Sequence, residues 1–256
     1  MLSFSYRSNI ARVNLRSAGF SLIEMAVVML IVGLLLNGLF VALGDTAVSR
    51  NRSAATTELE SITEAMYGHA QTTGRLPCPA LVTSAGVEAP NGGGVCTSAH
   101  GFVPATTLGI QGSIDTNGLL LDPWGNPYRY SVSVLASGGN RVFTSVAGMQ
   151  SQFAVGALPV NNNLICIAGA IACGAPVYAN SVPALVYSMG ADWASFTSAL
   201  QLENANSVVA GFRMASNNDF ANSDYSEEGA NAFDDILVWI PPNILFSRMI
   251  SAGKLP

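Results

Sequence analysis

The polarity of the chain changes twice along its length, and each change marks an element. From Phe20 to Leu43 the sequence is an apolar run of 24 residues with a single charge, Glu24. As a helix rising 1.5 Å per residue, such a run is about 36 Å long, enough to cross a hydrocarbon core. From Asp45 to Thr72 the pattern becomes amphipathic, without proline and with Gly68 as its only glycine. Leu59, Ile62, Met66 and His69 recur at i, i+3, i+7 and i+10. Ala55 and Ala70 extend their face, while Thr57, Glu58, Glu60 and Glu64 lie largely off it. Together the two patterns predict one helix from Phe20 to about Thr72, roughly 80 Å long. Its second half should lay an apolar stripe on a globular domain. His69 reads as a packed histidine on that stripe. Gly74, then Pro77 and Pro79, end the helix.

Beyond the helix the periods shorten. Gly74 to Gly112 is loop-rich, with Asn91-Gly92-Gly93-Gly94 at its centre. Tyr128 to Leu135 alternates, and Gly138-Gly139-Asn140 predicts a hairpin into Arg141 to Val146. Ala184 to Met189, Ser207 to Arg213 and Asp235 to Ile240 are further strand-like runs, separated by Asn- and Ser-rich loops. Pro241-Pro242 opens a short C-terminal helix carrying Leu245, Phe246, Met249 and Ile250. The expected fold class is α+β: a long N-terminal helix with a C-terminal antiparallel β-sheet head. The expected divisions are a leader over 1–19, a transmembrane helix over 20–43, its extracytoplasmic continuation over 44–73 and a head over 74–256.

Charge refines this picture. Only 11% of residues are charged against 50% hydrophobic. Arg7, Arg12 and Arg16 precede the apolar run with no acid among them, which keeps the leader cytoplasmic and sends the C-terminus outward. The remaining 8 basic and 16 acidic residues leave the rest of the chain near −8. With no basic stripe to neutralise phosphates, nucleic-acid binding is not expected. The four cysteines, Cys78, Cys96, Cys166 and Cys173, allow three pairings, of which Cys78–Cys96 and Cys166–Cys173 closes the shortest loops. Neither pair has C-x-x-C spacing, and only two histidines exist, so zinc is disfavoured. Disulfides suit a domain outside the cytoplasm; four buried free thiols are the alternative.

The junction reads Ala18-Gly19-Phe20-Ser21-Leu22-Ile23-Glu24. It resembles the N-terminal signature of type IV prepilins: a short basic leader ending in Gly, then Phe, then Glu as fifth residue of the mature chain. The resemblance implies a pilin-like architecture. It also implies cleavage between Gly19 and Phe20 by a prepilin peptidase, with methylation of the new amine. Glu24 fits that reading physically. An ionised carboxylate in hydrocarbon costs at least a few kcal/mol and needs a partner. In a filament of staggered helices the cationic N-terminus of a neighbouring subunit can supply one and set register; a shallow Glu24 that reaches interfacial water is the plain alternative.

Two later stretches resemble major pseudopilins of type II secretion. Leu121-Asp122-Pro123-Trp124-Gly125-Asn126-Pro127-Tyr128 is similar to the segment entering their sheet, and its local chemistry is that of turns, with Trp124 plugging the helix–sheet junction. Ser188-Met189-Gly190-Ala191-Asp192, with Glu227-Glu228-Gly229 and Asp234-Asp235-Ile236, resembles the loops in which that family binds calcium. The resemblance implies Asp192, Glu227, Asp234 and Asp235 as oxygen ligands for a hard cation. Two departures count against it: some thirty extra residues between the segments, and Trp193 in place of a glycine. A solvated acidic loop is the plain alternative.

The sequence thus points to a non-enzymatic subunit, a pseudopilin or minor pilin of a type II secretion pseudopilus or type IV pilus. Its expected partners are prepilin peptidase, other pilin or pseudopilin subunits and inner-membrane lipid. Its expected place is the bacterial inner membrane, with a single pass and a periplasmic C-terminus, and then the filament. The alternatives are an anchored periplasmic enzyme and an adhesin-like binding module. No G-x-S-x-G, H-E-x-x-H or phosphate-loop pattern is present.

Overall fold

A computed structural model of the protein describes residues 21–133, 142–155, 163–166, 177–194, 198–226 and 232–256, apart from the side chains of 36–46, 142, 152, 154 and 155. The chain divides into two compact units, Met1–Val48 and Ser49–Pro256. Helix α1, Leu22–Thr73, supplies most of what is described of the first and the opening element of the second.

In the first unit, Ser21 to Leu35 are exposed on every side of the helix. Leu22, Met29, Leu30, Leu34 and Leu35 are each more than half exposed. A helix that is apolar all round gains stability only when lipid or other helices cover it. Among the described residues no helix is long and apolar enough to cross a membrane.

The second unit contains β1 (His100–Phe102), α2 (Ala105–Leu108), β2 (Arg129–Val132), α3 (Val146–Val155), β3 (Asn163–Cys166), β4 (Val177–Val182), β5 (Ala184–Ser188), α4 (Ala199–Asn204), β6 (Ser207–Val209), β7 (Phe212–Met214), β8 (Asp219–Ala221), β9 (Ile236–Ile240) and α5 (Pro242–Ser251). The main sheet has the order β1-β2-β5-β9, with every neighbour antiparallel. A second sheet, β4-β3-β8, pairs β3 with β8 in parallel, and β6 and β7 form a separate hairpin. The fold is α+β, with an N-terminal helix and antiparallel strands.

The stripe on α1 is buried as its spacing predicts. Ala55, Leu59, Ile62, Met66 and Ala70 are at most 1% exposed. They share a core with Tyr130, Val132 and Val186 of the sheet and with Leu245 and Met249 of α5. A second core, including Leu185, Tyr187, Phe220, Phe233 and Leu237, covers the opposite face of β5. His69 is half-buried at the edge of the stripe, its Nε2 without a hydrogen-bond partner. Burial and the nearby Arg75 hold its pKa below the usual histidine range.

Three local expectations change. The turn expected at 138–140 and Arg141 lie outside the described residues, and Val142–Thr144 is a 3-10 helix leading into α3 rather than a strand. Phe143 enters the main core there, and β2 takes β1 and β5 as neighbours instead. Ser207 to Arg213 is not one strand but most of the β6–β7 hairpin. Ala210 (φ 51°) and Gly211 (φ 87°) supply the two positive-φ residues of a tight turn. Trp124 is only half-buried and is not in the core; the junction is filled by Tyr128 and Tyr130, both fully buried.

The glycine-rich loop is held at two points. Cys78 and Cys96 form a disulfide with Cα atoms 5.4 Å apart. Beside it Arg75 grips Glu88 through two bonds of 2.8 and 2.6 Å, and the same carboxylate accepts from the Cys78 and Gly92 N–H groups. Burial opposes ionisation of Glu88, but these donors prevail and hold its pKa below the ordinary 4.5. The contribution is therefore complete above 4.5 and lost as pH falls through the lower native value. Glu88→Ala, which leaves Arg75 buried and unpaired, should cost the head about 3 kcal/mol in urea unfolding near neutral pH. The gap to the parent should shrink on acidification.

Candidate functional site

Two places hold the chemistry singled out in the sequence. The first is the start of α1. Ser21 precedes the helix, and its Oγ accepts from the Glu24 backbone N–H at 3.2 Å. Ser21-Leu22-Ile23-Glu24 has the spacing of a capping box. It places Glu24 in the first turn, where the positive end of the helix dipole favours a carboxylate. Glu24 thus helps to start the helix as well as carrying charge within an apolar segment. The Ser-x-x-Glu spacing is legible in the sequence, and Ser21 is the residue that the junction resemblance leaves unnoticed. Gly19 and Phe20 lie outside the described residues.

The second place lies between the loops after β5 and before β9. Asp234 Oδ2 accepts from the Ala191 N–H at 2.6 Å and the Asp192 N–H at 3.3 Å. Gly190, at φ +65°, lets the loop pass beneath that carboxylate, where a Cβ would collide with it. Gln201 of α4 bridges the two acids, its Nε2 donating to Asp192 Oδ1 at 2.9 Å and to Asp234 Oδ1 at 2.7 Å. Burial, reinforced by Asp234, pushes Asp192 up to about 6. Gln201 is buried, and its Oε1 has no partner.

The structure brings Asp192 and Asp234 together but directs Asp235 elsewhere. Asp235 is 4% exposed, and its Oδ2 accepts from Asn204 Nδ2 at 2.7 Å. Burial raises its pKa well above 3.8, against the pull of Asn204. Glu227 lies outside the described residues. Among the described residues no three His, Cys, Asp or Glu gather as a metal site. Two carboxylates converge here, and the Gln201 group that faces them is its NH2, a donor to both acids rather than an oxygen ligand. Gln201 and Asn204 carry no motif, so only the fold reveals them.

The Asp122–Asn126 turn supports this loop. Asp122 Oδ1 accepts from the Trp124 and Asn126 N–H groups, both at 2.9 Å, and Oδ2 accepts from Ser188 Oγ at 2.5 Å. Asn126 Nδ2 donates to the Gly190 carbonyl at 2.9 Å. The turn therefore clamps the 188–192 loop from beneath. Of the other cysteines, Cys166 is disulfide-bonded and Cys173 lies outside the described residues.

Comparison with known proteins bears on the first place. Residues 14–39 match the prokaryotic N-terminal methylation motif. The chain carries a type IV prepilin-type N-terminal segment. That prepilin-type segment contains the Gly19–Phe20 junction and Glu24, and it ends within α1. No curated protein and no solved structure is detectably similar to the chain.

The buried Asp235 gives a signed expectation. Its raised native pKa means that the folded state keeps a proton that the unfolded chain releases above 3.8, so it lowers stability as pH rises past that value. With calcium chelated, Asp235→Asn should melt close to the parent at pH below 3.8. It should become progressively more stable than the parent toward neutral pH, as followed by thermal scans of the isolated Ser49–Pro256 unit.

Proposed function

We propose that this protein is a non-enzymatic structural subunit of an extracytoplasmic filament, a pseudopilin or minor pilin, assembled through its N-terminal helix. The match of residues 14–39 to the methylation motif carries the reading. Glu24 in the first turn of α1 and the exposed apolar surface from Leu22 to Leu35 support it. In this reading a prepilin peptidase cuts after Gly19 and methylates Phe20. The apolar run from Phe20 to Leu43 holds the subunit in the inner membrane in a single pass, head outward, until assembly. Glu24 then meets the new N-terminal amine of a neighbour, which offsets the cost of an acid in lipid. A head larger than a compact major pseudopilin favours a minor subunit.

Mass spectrometry of the mature N-terminus tests the processing. In cells with an active prepilin peptidase the chain should begin at methylated Phe20, and Gly19→Ala should leave it uncut. Glu24→Gln should be processed normally yet drop out of filaments. A parent chain that still begins at Met1 under those conditions overturns the reading.

Calcium belongs to the same proposal. Asp192 and Asp234 would hold the ion, with Gln201 beside them, and Glu227 is the further ligand that the sequence resemblance implies. The ion would neutralise two carboxylates that now share one donor. Millimolar calcium should then raise the melting temperature of the head by several degrees. Asp192→Asn should abolish the rise, and a parent head indifferent to calcium removes the idea.

A further inference from the structure

A cleft of about 280 Å³ within the Ser49–Pro256 unit is left unused by the chemistry described so far. One wall is the α1 face of Ala54, Glu58 and Ser61, and the other is formed by loop segments 110–113 and 120–123. Asp122 in its lining is already occupied by two N–H groups and Ser188. Glu58 is exposed, and only its Oε2 is engaged, by the Tyr128 hydroxyl at 2.6 Å. Among the described residues no cation pairs with Glu58.

The complementary charge lies on the same helix. Arg50 is exposed and, among the described residues, has no hydrogen-bond or ion-pair partner. Arg52, Arg75, Arg129 and Arg248 are each held by their own neighbours. Arg50 and Glu58 are eight positions apart, about 12 Å along a helix axis, too far to pair within one chain. Parallel copies displaced by about two helical turns would bring them level.

We propose that Arg50 of one copy enters this cleft and pairs with Glu58 of the next, so that copies are locked outside the membrane segment as well as inside it. The proposal rests on the assembly reading above. A planar guanidinium suits the free edge of a carboxylate. The contact joins two different patches, so it repeats from copy to copy and extends an open filament instead of closing a dimer.

The test uses the full-length chain in cells, with the assembled fraction measured by sedimentation. Arg50→Glu and Glu58→Arg should each lower that fraction about three- to tenfold. The double variant should restore it to within about twofold of the parent. Head melting temperatures check that each variant folds, and Arg50→Gln with Glu58→Gln, which keeps an acceptor for Tyr128, should match the single losses. Singles without effect overturn the pairing. A double variant no better than the singles also overturns it, and would mean that another protein's cation fills the cleft. If the parent itself does not assemble, the assembly reading fails first and this inference with it. If the parent assembles and the swap does not restore, only this inference fails.

Discussion

The strand β5 is covered on both faces, and the head is arranged around that constraint. Ala184 and Val186 face the core shared with α1 and α5, while Leu185 and Tyr187 face the second core. Because successive strand residues point to opposite sides, a slip of one position would exchange the two sets. Its register with β2 and β9 is therefore fixed from both directions. The end of β5 runs straight into the 188–192 loop, so the placement of Asp192 against Asp234 inherits that fixed register. Asp122, Ser188 and Asn126 secure the strand end and satisfy polar groups that burial would otherwise leave costly.

What was legible in the sequence follows from the strength of each local signal. The stripe from Ala55 to Ala70 keeps a 3.6-residue period over four turns, and the structure buries it. The strand-like runs at Ala184 and Asp235 and the helix after Pro241 also stand close to where their patterns put them. The hairpin into Arg141 to Val146 does not, because alternation over six residues cannot separate a strand from a short helical turn once Phe143 has a core to enter. Ser207 to Arg213 looks like one strand in sequence because Ala210-Gly211 lacks the Asn or Asp that usually marks such a turn. Asp192, Asp234 and Asp235 look alike in sequence. Only tertiary contacts, Gln201 for the first two and Asn204 for the third, give them different surroundings.

The two parts of the chain carry different kinds of information. The segment that matches the methylation motif is a short sequence pattern, and its described side chains, Ser21 to Leu35, are all exposed. The head is held by its own contacts: packed cores, disulfide-bonded cysteines and a buried ion pair. Glu24 stands where these demands meet, since one carboxylate both completes a capping sequence with Ser21 and places a charge in an apolar segment.

Helix α5 has a consequence for the order of events. Leu245, Met249 and Leu255, close to the last residue, share a core with Leu59 and Ile62. Arg248 also reaches across to Glu64 with bonds of 2.5 and 2.8 Å. Contacts of such sequence separation form late. The main core of the head therefore closes only when α5 docks on α1, so one late step completes the packing of both helices.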